Sequence, residues 1–289
     1  MWGTSKFRIR SSSLLCGAAF FACLAFGKDL AVKPVLHQIE DGPGIDATVD
    51  FLPGETVYLS FRVSGFQTKE KDDEFQSLSL VYKIAVEDPE GIAAAATQDG
   101  KFATDIRRED KQWEPKIRRE IRLPDHAIRG KYKVTVWVKD EISGEEATSL
   151  VSFPVRNRHV EGAKDLTVRN FGFYRSENDR RPLTQVIYHK GESVFVRMDV
   201  TGYMRGDKNA FDVEYGLKLT GPDGKAVVEQ PQAARESSAS GFYPRRWLPV
   251  AFRLDLAPEP LKGVYELVVE LRDKLSGKNL ELRRSLEVE

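Results

Sequence analysis

The chain has 289 residues, 44 basic and 44 acidic side chains, and a hydrophobic content of 41%. That balance gives no electrostatic pull toward nucleic acid or an anionic membrane, and the length is enough for two units that bury cores without covalent staples. Both cysteines, Cys16 and Cys23, lie near the N-terminus, so thiol nucleophiles, thiolate metal sites and disulfides are excluded from everything that follows them.

Residues 1–27 read as a secretory signal peptide. Lys6, Arg8 and Arg10 precede an uncharged apolar run at 14–26, and Ala25 and Gly27 put small residues at the cleavage positions. The run is shorter than the roughly 20 residues a spanning helix needs. Cys23 leaves a lipoprotein as an alternative, although Phe20, Phe21 and Ala22 before it depart from the usual leucine-rich pattern. Removing the leader takes away three basic and no acidic residues, leaving 41 basic against 44 acidic and a net charge of −3. The expected location is exported, periplasmic or extracellular, with no membrane span in the mature chain.

Beyond the leader, apolar and polar residues alternate with period two at 57–63, 78–86, 132–138 and 194–200, the pattern of half-buried strands. Asp88-Pro-Glu-Gly91 and Gly221-Pro-Asp-Gly224 carry turn chemistry, with proline presetting φ and glycine accepting a positive one. Residues 140–144 and 273–277 turn a final hairpin in each half. Long helical periodicity is absent.

The chain also repeats itself. Phe51, Gly54, Glu55 and Gly65 match Tyr188, Gly191, Glu192 and Gly202 at a spacing of 137. Pro89, Gly130, Tyr132, Asp140 and Gly144 match Pro222, Gly263, Tyr265, Asp273 and Gly277 at a spacing of 133. The lost four positions fall in the charged stretch 67–74, where a surface loop tolerates a change of length. These matches predict two homologous domains, 28–157 and 164–289, joined by a linker at 158–163. The expected fold is all-β, two tandem antiparallel immunoglobulin-like β-sandwiches after a signal peptide.

Leu123-Pro124, followed by Gly130, Tyr132, Val134, Val136, Asp140, Ser143 and Gly144, resembles the last strands of immunoglobulin-like, fibronectin type III-like and macroglobulin-type modules of exported bacterial proteins. The resemblance covers both repeats and lacks the cysteine pair of antibody domains. It implies that Tyr132 and Tyr265 are corner residues that bond back to the backbone. It bears on architecture, since function has to be argued from a site.

The four histidines, His37, His126, His159 and His189, have no metal-chelating spacing, and neither a Gly-x-Ser-x-Gly elbow nor a phosphate loop is present. No catalytic residue, metal or cofactor is therefore expected, and the chain is read as non-enzymatic. A carboxylate pair assembled only in three dimensions is the enzymatic alternative. Glu55 and Glu192, directly after their turn glycines, are expected to support strand-entry turns.

Comparing the copies separates scaffold from candidate site. Gly54 with Gly191, Tyr132 with Tyr265, and Trp113 with Trp247 are shared and read as structural, the tryptophans being matched by Pro115 and Pro249 two residues on. Phe242, Tyr243, Arg245 and Arg246 belong to the second copy alone and are of the types that dominate binding hot spots. They form the expected binding loop for a protein or glycan partner, or else a loop folded over its own sheet. The expected function is an exported, non-catalytic interaction module presenting loops or edge strands. The alternatives are a structural spacer in an envelope assembly and a carboxylate-dependent hydrolase.

Overall fold

The computed structural model describes residues 29–110 and 112–289. The signal peptide and the Cys23 alternative lie outside the described residues. Among those described, no helix is long and apolar enough to cross a membrane.

The fold is all-β. In the N-terminal half, β1 (Ala31–His37), β2 (Thr56–Ser64) and β6 (Lys116–Arg122) form a sheet in the order β1-β2-β6. The facing sheet holds β3 (Lys69–Glu70), β4 (Phe75–Glu87), β5 (Ala93–Arg107), β7 (Gly130–Asp140) and β8 (Glu146–Val155) in the order β3-β4-β7-β8, with β5 on the other edge of β4. In the C-terminal half, β9 (Thr167–Tyr174), β11 (Ser193–Thr201) and β14 (Trp247–Asp255) run in the order β14-β11-β9. Opposite them β10 (Ile187–Tyr188), β12 (Phe211–Thr220), β13 (Ala226–Ser238), β15 (Gly263–Asp273) and β16 (Asn279–Val288) run in the order β10-β16-β15-β12-β13. Such an all-strand sandwich is compatible with immunoglobulin-like modules.

Alternation drives the layering. Val57, Leu59, Phe61 and Val63 of β2 point into one core with Leu80, Tyr82 and Ile84 of β4 and Val134, Val136 and Val138 of β7. Val194, Val196, Met198 and Val200 of β11 do the same in a second core with Tyr215, Leu219, Leu267 and Leu271. Each buried side chain of this size contributes about 1.5–3 kcal/mol.

The internal repeat reappears as geometry. Phe51 bridges Val155 in parallel, and Tyr188 pairs with Val288 in parallel. Asp140 accepts from the Gln67 and Ile142 amides and the Ser143 hydroxyl. Asp273 accepts from Met204, Leu275 and Ser276 in the same way. Glu55 takes the Leu52 amide at 2.7 Å and Glu192 the His189 amide at 2.8 Å, closing the strand-entry turns. Gly130 has φ 140° and a Cβ there would lie 2.5 Å from Pro89 Cγ, while at Gly263, with φ 134°, it would lie 3.0 Å from Pro222 Cγ. The positive φ disfavours a side chain at either glycine, and at Gly130 the space is closed as well.

Candidate functional site

The loop after β13 was the expected binding element. The structure turns most of it inward. Phe242 is 59% exposed, but Tyr243 is only 5% exposed and packs into the core of the N-terminal half. Around it, Asn209 holds the Gly241 and Phe242 carbonyls, Tyr203 Oη donates to the Arg245 carbonyl at 2.6 Å, and Thr201 Oγ1 donates to that of Arg246. The loop backbone is thus anchored to the C-terminal half while its tyrosine is sunk in the other half.

The receiving residues come from two turns of the N-terminal half. Asp88 caps its own turn through the Glu90 and Ile92 amides and turns its other oxygen to Tyr243 Oη at 2.7 Å. The Arg246 guanidinium lies over the Tyr243 ring at 4.9 Å and bonds both Asp88, at 2.5 Å, and Glu90, at 3.0 Å. His126 Nε2 donates to the Tyr243 carbonyl at 3.0 Å. Tyr132 Oη lies 3.2 Å from the Ile128 carbonyl and 3.3 Å from Tyr243 Oη. Since the Tyr243 proton is directed at Asp88, Tyr132 shares its own between those two acceptors. Tyr265 Oη, its counterpart, bonds only backwards, to the Leu261 carbonyl at 2.9 Å.

Burial, helped by the bonds to Tyr132 and Asp88, pushes the Tyr243 phenol well above its ordinary range. Burial opposes the Arg246 charge, but Tyr243, Asp88 and Glu90 outweigh it and hold the guanidinium above its usual value. Arg158, in the expected linker, adds a second tie by pairing with the fully buried Asp199 carboxylate of β11. Among the four residues of the expected binding loop, Phe242 stays open to solvent and Arg245 and Arg246 do so in part.

The two tryptophans are not equivalent. Arg62 pairs with Lys116, and Asp199, at a spacing of 137 from Arg62, pairs with Pro249. Lys116 to Pro249 is a spacing of 133, so Trp247 stands opposite Glu114, and Trp113 opposite Arg246. A one-residue slip in a strand flips every side chain to the other face. Accordingly Trp247 is 8% exposed at the start of β14, while Trp113 is 38% exposed in the turn before β6.

Trp113 stacks on Phe102 at 6.4 Å and meets the Phe66 ring edge-on at 6.5 Å. Its exposed part lines an open cleft of about 580 Å³, together with Gln67, Thr68, Gln76, Arg107 and Asp110. A flat indole bordered by amide, hydroxyl, guanidinium and carboxylate groups can stack on a ring and bond its rim.

A third arrangement is a serine–histidine pair. His37 Nδ1 lies 2.8 Å from the Gly42 carbonyl, which can only accept, so Nε2 receives the Ser60 hydroxyl at 2.8 Å. This distance is that of a base-activated hydroxyl. However, the group orienting the ring is an uncharged carbonyl, which stabilises an imidazolium less than a carboxylate does. At the matching positions of the second half, again spaced by 137, Arg197 lies over the Tyr174 ring at 3.6 Å. Both pairs hold the edge of the three-stranded sheet against its covering loop.

The buried carboxylates Asp88, Asp140, Asp199, Glu214 and Asp273 are each engaged by amides, hydroxyls or guanidinium groups, Glu214 through Arg272. Among the described residues, no group of three or more histidine, cysteine, aspartate or glutamate side chains is placed to hold a metal ion.

No family model matches the chain, and no curated protein matches it. Among solved structures it is similar to the alkylpurine DNA glycosylase AlkC of Pseudomonas fluorescens bound to DNA containing an abasic site analog, with 20% identity and a TM-score of 0.26, over 45% of this chain and 31% of that one. It is similar to red sea bream transglutaminase, with 10% identity and a TM-score of 0.25, over 90% of this chain and 31% of that one. It is also similar to the fibronectin(III)-like modules of Clostridium thermocellum CbhA, with 12% identity and a TM-score of 0.21, over 89% of this chain and 92% of those modules. The chain thus spans 31% of the length of each of the first two.

Proposed function

We propose that the protein is an exported, non-catalytic binding module of two tandem sandwiches, and that the Trp113 cleft holds a glycan. The observation carrying this reading is the outward indole of Trp113, braced by Phe66 and Phe102 and open to a cleft of about 580 Å³. An aromatic platform gives a sugar face a large contact area at little entropic cost, and the flanking Gln67, Gln76 and Asp110 offer both donors and acceptors for its hydroxyls. A protein partner would instead need a contact face of roughly 800 Å² on this side, with the indole as one anchor within it.

The test is a glycan panel read by tryptophan fluorescence and calorimetry, with Trp113→Ala beside the unmodified protein. Saturable binding to a panel member, lost in Trp113→Ala, supports the reading. Binding that survives Trp113→Ala, or no glycan binding at all, sinks it.

The junction favours a second reading, that of a spacer. Tyr243 and Arg246, chemically suited to a partner, are spent within the chain, where they hold the two halves together. Two units held together in this way suit a spacer in an envelope assembly, and small-angle scattering showing a flexible pair of beads would remove that role.

A further inference from the structure

We propose that the groove between the two halves is a binding site for a small multivalent oxyanion, a ligand carrying two or more phosphate, sulfate or carboxylate groups. This site is built from residues other than those around Trp113 and does not rest on the glycan reading.

The groove has a volume of about 590 Å³. Arg129 enters it from the N-terminal half, Lys164 from the segment joining the halves, and Arg205, Arg245 and Arg246 from the C-terminal half, with Arg158 at its side. Glu90 is the one acidic residue lining it. This excess is local, because the chain as a whole carries equal numbers of basic and acidic side chains.

Half of these cations have protein partners. Arg158 pairs with Asp199, Arg245 with Glu236, and Arg246 with Asp88 and Glu90. The other three, Arg129, Lys164 and Arg205, make no ion pair and no side-chain hydrogen bond among the described residues, and all three are exposed. Like charges gathered around one concavity repel each other and focus a positive potential into it, which an anion relieves.

The loop carrying Arg245 and Arg246 supplies rigidity. The Arg245 and Arg246 carbonyls are held by Tyr203 and Thr201, so the backbone of one wall is anchored. Arg129 and Arg205 are exposed, unpaired guanidinium forks able to clamp an oxyanion with paired N–H donors. The volume suits a ligand of small-molecule size. Two or more charged groups are called for because the unpaired cations come from both halves and from the segment between them.

The test is calorimetric titration of the purified protein with tripolyphosphate and, separately, with a disulfated disaccharide, at low salt and at about 0.15 M salt. At least one probe should bind at a single site, and more weakly at the higher salt. The double variant Arg129→Ala/Arg205→Ala should weaken binding about tenfold or more, as loss of two charge-assisted contacts implies. Lys131→Ala/Lys133→Ala removes the same charge from an exposed stretch of β7 and should leave affinity unchanged. The tighter probe identifies the source of the anionic groups as a phosphorylated small molecule or a sulfated sugar. Absence of binding by both probes overturns the proposal, as does an equal loss in the two double variants.

Discussion

Removing the Tyr243 ring is expected to uncouple the two halves. The ring is nearly fully buried in a core to which every other member belongs from the N-terminal half. Truncating a buried aromatic of this size costs about 3–5 kcal/mol. Tyr243→Phe keeps the ring and removes only the hydroxyl bond to Asp88, for which about 1–3 kcal/mol is expected. Arg246→Ala leaves the fully buried Asp88 carboxylate without its counter-charge, a change of about 3–5 kcal/mol for pairs of this kind. The loss falls on the contact between halves, because the cores on either side are otherwise separate. Differential scanning calorimetry should therefore find one cooperative transition in the unmodified protein and two in Tyr243→Ala. For units of this size each kcal/mol moves a transition by roughly 2–8 °C, so the N-terminal transition should fall by about 6 °C or more. Tyr243→Phe should fall between the two. A single transition in Tyr243→Ala at the unmodified temperature would refute the view that this tyrosine joins the halves.

Two further outcomes follow from the same geometry. Burial holds His126 below the ordinary imidazole range, with its bond to the Tyr243 carbonyl opposing the shift and Arg245 reinforcing it. The unfolded chain then takes up the proton first, so this contribution to stability is intact above the unfolded value of about 6.5 and is lost as pH falls below it, until the lowered folded value is reached. Melting temperatures taken across that window should decline more steeply in the unmodified protein than in His126→Gln, and parallel curves would contradict the assignment. The tryptophans should also part company in stability: Trp247→Ala is expected to cost about 3–5 kcal/mol in urea unfolding, whereas half-exposed Trp113→Ala should cost clearly less. Equal losses would restore their equivalence.

Much of the fold was legible in the sequence because its determinants are local. Strand alternation, the turn glycines and the carboxylates beside them act within a few residues, and they recur in both copies. The bonds of Glu55 and Glu192 to amides three residues away are of this kind. The tryptophan pairing was misread because prolines two residues on matched at a spacing of 134, whereas the strand ladders require 133. In a period-two element that single step decides which face a side chain takes.

The copies also held a signal for the junction. Asp88 stands where the second copy has Gly221, and His126 where it has Glu259, so both are as specific to one copy as Tyr243 is to the other. A difference between copies marks a residue as special without saying what it touches.

By itself, then, the sequence determined two series of amphipathic strands and the turns that join them, since periodicity and backbone preference belong to the chain at short range. Only the tertiary structure decided the fate of the aromatic–guanidinium loop and the groove it lines. Tyr243 meets Asp88 across 155 positions. Contact at that separation depends on how two finished cores set against each other, a relation between surfaces that no local pattern encodes.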